Sequence, residues 1–396
     1  MSSEREVVVL SGVRTAIGDY GGALKDLPPS DLAGQVIREA IKRAKVEPKE
    51  VSTCVLGNVI HTEAKDMYIS RVSALKGGLS DDSTAFGVNR LCGSGLQAIV
   101  SASQGIVLGD NDIAVAGGTE SMSRGGYLLP TLRWPQRMND GGAVDMMVGA
   151  LTDPFDTVHM GITAENIAEQ WKITRDQQDE FAVESHRRAV NAIEKGYFKD
   201  QILPIEFKTR KGTVIFDKDE HPRADASREG MAKLRAVFKK DGTVTAGNAS
   251  GINDGAAAVV LMERAAAEKR GLKPMARLVS YGLAGVDHKI MGIGPVPAST
   301  SALAKAGLKL EQMDVVESNE AFSVQALAVS CDLKLDPKKT NPNGGAVALG
   351  HPIGATGAVL AVKALHELQR IGGRYALVTM CIGGGQGIAA IFERVQ

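Results

Sequence analysis

The chain runs through the same order of elements twice, and this repeat constrains its fold more than any other feature of its 396 residues. In the first pass, Leu32, Val36, Ile37, Ala40 and Ile41 recur at helical spacing, with Ser30 as the expected N-cap. A strand from Cys54 to Gly57 follows and ends at Asn58. The glycine-rich turn Leu91-Cys92-Gly93-Ser94-Gly95 then opens a helix whose Leu96, Ile99, Val100 and Val107 share an apolar face, with Gly109 as its stop. A strand from Ile113 to Ala116 ends at Gly117-Gly118. In the second pass, a short helix from Ala298 to Ala306 precedes the strand Asp314 to Ser318, which again ends in asparagine, at Asn319. The turn Gly350-His351-Pro352-Ile353-Gly354 opens a helix with Val359, Val362 and Leu365 inward and a stop at Gly372-Gly373. The strand from Tyr375 to Met380 then delivers Cys381 to a glycine run. Self-similarity on this scale predicts two related α/β domains. Their equivalent strand ends and helix starts would converge on one shared site.

A segment of different character separates the two passes. Ser123 to Gly142 mixes glycine, proline and arginine, and methionine-rich and acidic patches lead into two helices. The second is announced by Thr174 with Gln177 three residues on, a capping box, and carries Phe181, Ala182, Ala189 and Ile193 before stopping near Gly196. Strand character resumes in the alanine-rich run Gly255 to Met262. The expected organisation is therefore a discontinuous N-terminal domain (1–121 and 253–273), an inserted loop domain (122–252) and a C-terminal domain (274–396). An insertion of this length is usually functional.

Composition narrows the class. Forty-six basic residues balance forty-six acidic ones, which gives no global field to draw nucleic acid or an anionic membrane. Met1 to Gly18 lacks the pattern of a secretory or transit peptide, and no uninterrupted apolar stretch looks long enough to span a bilayer. Four cysteines in a chain of this size point to a reducing compartment, the cytoplasm, rather than a disulfide framework. None has a partner at zinc-ligand spacing, so no metal is expected. Cys54, in an apolar run, and Cys331, after a helical stretch without glycine, read as packing residues.

Cys92, His351 and Cys381 each sit in their own glycine-rich turn. Glycine lets backbone N–H groups approach a ligand closely, so each thiol has oxyanion donors at hand. One thiol with one imidazole suits acyl transfer through a thioester. A second thiol in a similar setting suggests a separate proton-transfer task.

The Cys92 turn, Ser318-Asn319-Glu320-Ala321-Phe322, Gly350-His351-Pro352-Ile353-Gly354 and Cys381-Ile382-Gly383-Gly384-Gly385 together resemble the four active-site motifs of the thiolases. The resemblance covers essentially the whole chain, in order, and is nearest to the bacterial short-chain β-ketothiolases (acetyl-CoA acetyltransferases). It implies an α/β thiolase-like fold, two related domains forming a layered α-β-α-β-α core plus the inserted loop domain. It implies Cys92 as the nucleophile, at a helix N-terminus where the macrodipole favours a thiolate, and His351 as acceptor of its proton. Cys381 would take the α-proton of a second acetyl-CoA, and in reverse activate CoA for thiolysis. His351 and a water held by Asn319 would serve the enolate oxygen, and the N–H groups of Cys92 and Gly383 the tetrahedral intermediate.

Coenzyme A and acyl-CoA would be substrates, with no permanently bound cofactor. No Walker loop is present, and Gly383, Gly385 and Gly387 do not satisfy a dinucleotide fingerprint. The resemblance assigns Arg223, Ser227 and Arg228, in the basic stretch His221 to Lys240, to the 3′-phospho-ADP end of CoA, and Ser250 to the pantetheine arm. It assigns His159 and Met160 to pantetheine contact and the narrowing of the acyl pocket, and Leu151, Met291 and Phe322 to its apolar wall. A homotetramer, a dimer of dimers, is expected through the first-domain sheets and the loop around Tyr127 to Asp140, where Leu128, Leu129, Leu132 and Trp134 look hard for a monomer to cover. The alternatives are a degradative 3-ketoacyl-CoA thiolase, a decarboxylating ketosynthase, which typically needs histidine where this chain has Asn319 or Cys381, and an inactive acyl-CoA carrier, in which at least one of the four chemical residues would be lost.

Overall fold

A computed structural model describes residues 5–134, 136–209 and 212–395. Pro135, inside the loop expected to make subunit contacts, and the chain ends lie outside the described residues. The first half contains strands β1 (Val7–Thr15), β2 (Thr53–Gly57), β3 (Thr84–Val88) and β4 (Ile113–Ser121) with helices α1 (Pro29–Ala44) and α2 (Ser94–Leu108). The intervening segment contributes α3 (Met160–Trp171) and α4 (Arg175–Glu194), and β5 (Asn253–Glu263) returns to the first half. The second half contains β6 (Ala276–Gly285), α5 (Pro295–Ala306), β7 (Val315–Ser318), α6 (Ser323–Leu333), α7 (Ile353–Ile371), β8 (Tyr375–Ile382) and β9 (Gln386–Arg394).

The repeat seen in the sequence is a repeat in space. The strands pair in the order β7-β8-β9-β6-β1-β5-β4-β2-β3. From β1 outward the pairings run antiparallel to β5, antiparallel to β4 and parallel to β2. From β6 they run antiparallel to β9, antiparallel to β8 and parallel to β7. The halves meet at β1 and β6 through two residue pairs, Val8 with Arg277 and Val9 with Ala276. Helices α2 and α7 pack on each other between the two sheets, α7 touching strands of both, while α1 and α5 cover the outer faces. This is the expected five-layer α-β-α-β-α arrangement. Small residues make the middle layer possible: a Cβ on Gly357 would fall 2.3 Å from the Leu96 nitrogen, closer than real side chains come.

Four local expectations need correction. Val107, expected on the apolar face of α2 with Leu96, Ile99 and Val100, is 51% exposed while those three are buried, because the inward stripe ends on Ile106, one residue earlier on the helix. Ser30 does not cap α1; Pro29 opens the helix after Pro28, because proline pre-sets the first helical φ and has no N–H to satisfy. Cys331 is exposed on the last turn of α6, whereas Cys54 is buried. The stretch Leu91–Leu108 is, by length and composition, apolar enough to cross a membrane; here it forms α2 and the turn before it, in the middle layer of the core. The other signals lie close to their expected places, including the Thr174–Gln177 capping box and the left-handed stops at Gly109 (φ 85°) and Gly372 (φ 65°).

Candidate active site

Cys92 stands two residues before α2, in a turn forced by Leu91 in the left-handed region (φ 44°), a conformation costly for a residue with a Cβ. Ser94 holds the turn: its Oγ accepts from Arg90 N at 2.8 Å and donates to Leu91 O at 2.7 Å. Cys92 is partly exposed. Burial pushes its thiol up to about 11, against the pull of the backbone N–H groups of Gly383 and of Cys92 itself. Desolvation thus opposes the thiolate that the helix N-terminus and those donors favour, so ionisation of Cys92 calls for a base to take its proton.

His351 occupies the matching position ahead of α7 and is buried. Gly350 (φ 102°) makes this approach possible, since a Cβ there would fall 2.4 Å from Asn253 Cγ, and Asn253 Oδ1 accepts from His351 N at 2.9 Å. Burial lowers the imidazole to about 4, so it is neutral at pH 7. Its Nδ1 lies 2.6 Å from Thr356 Oγ1, and that hydroxyl donates to Pro352 O at 2.9 Å. The hydroxyl oxygen is then the acceptor of Nδ1–H, which leaves the lone pair on Nε2. Asn319 Nδ2 is 3.5 Å from that Nε2. Asn319 is fully buried, yet its Oδ1 has no hydrogen-bond partner among the described residues, so the site has a vacant acceptor for a polar ligand or a water.

Cys381, expected in a glycine turn after a strand ending at Met380, is instead buried within β8, which continues through Ile382 because its backbone pairs with β9, Cys381 opposite Gly387. Burial raises its thiol well above the usual range, and charge on Cys92 raises it further. The two thiols thus lie close enough for the ionisation of one to oppose that of the other.

A cavity of about 390 Å³ opens beside His351, lined by Leu151, His159, Ser250 and Phe322 among others. His159 caps α3, its Nδ1 accepting from Gly161 N at 3.0 Å, and its ring stacks on Phe238 with centroids 4.6 Å apart. Met160 and Met291 do not line this cavity; they are buried with Cys381 in an apolar cluster against Phe322. A second cavity, of about 330 Å³, shares Ala246 with the first and is lined by Arg223, Ser227, His186 and His221. Ser227 Oγ also caps a short helix through Gly230 N at 3.2 Å. Arg228 is not among the lining residues and lies 3.9 Å from Glu180 on the surface.

Several contributors escaped sequence reasoning. Phe238 was visible only as an apolar residue within a basic stretch. Nothing in the local pattern marks Thr356 or Asn253. Glu120, fully buried and pushed up to about 8 by desolvation, accepts from Val59 N, Ile60 N, Gly354 N and Asn58 Nδ2 at 2.8 to 3.1 Å. It ties the start of α7 to the loop after β2.

The sequence and the fold are similar to those of known proteins. The chain is 65% identical to beta-ketothiolase BktB of Cupriavidus necator over 99% of its length and all of that protein's. Among solved structures, the Bacillus anthracis acetyl-CoA acetyltransferase superposes with a TM-score of 0.98 at 48% identity, with both chains fully covered. The human mitochondrial 3-ketoacyl-CoA thiolase in complex with CoA superposes with a TM-score of 0.96 at 44% identity, covering 99% of this chain and 98% of that one. The profile of the thiolase N-terminal domain matches residues 7–265 and that of the C-terminal domain residues 272–394, so together they span almost the whole chain, which belongs to the thiolase family.

Proposed function

We infer that this thiolase is a short-chain β-ketothiolase, an acyltransferase that reversibly condenses two acyl-CoA molecules to 3-ketoacyl-CoA and CoA. The observation that carries the reading is the neutral His351, its Nε2 lone pair met only by Asn319 Nδ2 at 3.5 Å among the described residues, at the wall of a cavity in a protein whose two thiols are close enough to feel each other's charge. In the proposed sequence, Cys92 Sγ attacks the acyl-CoA carbonyl and its proton passes to His351 Nε2. The Cys381 thiol protonates the departing CoA sulfur and becomes a thiolate. That thiolate removes the α-proton of the incoming acetyl-CoA, and the carbanion attacks the Cys92 thioester. The Cys92 sulfur leaves and recovers its proton from His351. Thiolysis is the reverse, with Cys381 taking the proton of CoA.

The supporting groups follow from this sequence. His351 Nε2–H, once protonated, and a water held on Asn319 would face the enolate oxygen; the N–H groups of Cys92 and Gly383 would face the tetrahedral oxyanion. The 390 Å³ cavity suits the pantetheine arm and acyl group, with Leu151, His159, Ser250 and Phe322 on its wall and Met160 and Met291 packed behind. The 330 Å³ cavity, with Arg223 and Ser227, suits the phosphorylated nucleotide of CoA. Residues 122–252 would then act as the CoA-binding insertion between the N-terminal (1–121, 253–273) and C-terminal (274–396) domains. A homotetramer fits the exposure of Leu132 and Trp134, 73% and 80%, and sedimentation showing only monomer at micromolar concentration would exclude it. A cytoplasmic location is part of the same reading. Turnover of acetoacetyl-CoA, 3-ketovaleryl-CoA and a sixteen-carbon 3-ketoacyl-CoA with CoA tests the function. The first two should be cleaved well and the third poorly, each excluded methylene costing about 1 to 3 kcal/mol.

A further inference from the structure

The loop after Leu151 and the loop before Met291 meet outside the acyl pocket. There Asp153, Asp156 and His288 each offer a ligand atom within 4.8 Å of the others. Asp153 is fully buried. Its Oδ2 accepts from Phe155 N and Asp156 N at 3.0 and 2.7 Å, while its Oδ1 accepts nothing among the described residues. A buried carboxylate oxygen without a donor is costly and calls for a missing partner. His288 Nε2 is likewise shielded and without a hydrogen bond. It lies 3.3 Å from Asp156 Oδ2, and two ligands of one tetrahedral ion, each at about 2.0 to 2.2 Å, stand roughly 3.3 to 3.5 Å apart. On the other side of the ring, Asp287 Oδ1 is 3.6 Å from His288 Nδ1. A carboxylate beside the distal nitrogen is the neighbour that orients a metal-bound histidine.

We propose that Asp153, Asp156 and His288 bind a first-row divalent cation of the zinc type. Two carboxylates and an imidazole suit such an ion. The side chains of Asp156 and His288 are 43% and 27% exposed, which leaves an entry path and open positions for water. Lys289 Nζ, 3.8 Å from Asp156 Oδ2, is the ion's competitor. On the functional reading above, a bound ion ties the loop that carries Leu151 and His159 to the one that carries Met291 and so sets how far the acyl pocket can widen. His288 comes from more than a hundred residues beyond Asp153 and Asp156, so spacing along the chain could not have disclosed the set.

The test is titration of the whole protein with Zn²⁺ against a chromogenic chelator, and with Co²⁺ followed by its absorption spectrum. The unaltered protein should bind one tight equivalent that is lost in both Asp156→Asn and His288→Ala. Asp287→Asn should weaken it by about 10- to 100-fold, and Lys289→Gln should tighten it. Hydrogen exchange across 151–159 should slow on adding Zn²⁺ to the unaltered protein and not to His288→Ala. Should His288→Ala fail to fold, the conservative Asp156→Asn still decides. The proposal is overturned if no tight equivalent exists, if it survives both substitutions, or if its cobalt spectrum carries a thiolate charge-transfer band that Cys92→Ser removes. Failure to cleave acetoacetyl-CoA would sink the functional reading and leave the titration untouched.

Discussion

His351 Nδ1 lies 2.6 Å from Thr356 Oγ1, and because that hydroxyl spends its own proton on Pro352 O, the pair selects one imidazole tautomer. On the proposed mechanism Thr356 is a positioning residue: it would act on the reacting proton only through the ring. Thr356→Val should slow Cys92 acylation by roughly 5- to 10-fold, the equivalent of about one hydrogen bond, with little change in KM. Thr356→Ser should restore the rate. Equal losses in the valine and serine variants would mean that the hydroxyl has no such role.

The elevated thiol of Cys92 makes a pH prediction. With its pKa at about 11, the thiolate fraction grows tenfold per pH unit up to that value. Alkylation of Cys92 by iodoacetamide, followed by peptide mass mapping, should therefore still be accelerating at pH 9 to 10. A plateau near pH 7 would reveal a thiolate–imidazolium pair already formed in the free protein.

Cys381→Ser separates the two thiols. A serine hydroxyl is too weak an acid to supply an anionic base, so condensation should fall by about 100- to 10,000-fold while brief exposure to acetyl-CoA still labels Cys92. Exchange of the acetyl α-hydrogens with deuterated solvent should stop as well. A folded, CoA-binding Cys381→Ser protein that cannot be acetylated would contradict the proposed division of labour.

Arg223 and Arg228 should differ although they are neighbours in the sequence. Arg223 lines the 330 Å³ cavity, and Arg223→Ala should raise KM for CoA roughly 10-fold or more, as loss of a charge-assisted contact does. Arg228, paired at 3.9 Å with Glu180 on the surface, should tolerate alanine with less than about a threefold change, since such pairs contribute little. Isothermal titration of CoA into both variants checks the order.

The layered core was legible because its signals are local: helical spacing, glycine stops and a repeated order. Ser30 misled because capping preference was read without the competing rigidity of Pro28-Pro29, and Cys331 because a helix carries an exposed face as well as a buried one. Cys92, Cys381 and His351 announced themselves through glycine turns. The groups that tune them did not, because Thr356, Asn253 and Glu120 act through partners that only the folded chain brings near. Desolvation is likewise a property of the enclosure, so no motif could have shown that burial pushes the Cys92 thiol up.

The turns bearing Cys92 and His351 occupy corresponding places in the two halves, one ahead of α2 and the other ahead of α7. On the proposed mechanism, neither half therefore owns the reaction. In that mechanism the proton donor and acceptor sit on turns that lead into two helices packed on each other, α2 and α7, so their separation is a matter of alignment between two bodies. A substitution where those helices pack, such as Gly357→Ala against Leu96, would shift one body against the other. It would detune the chemistry with every reacting group still present, much as two sound gears fail when their shafts are set apart.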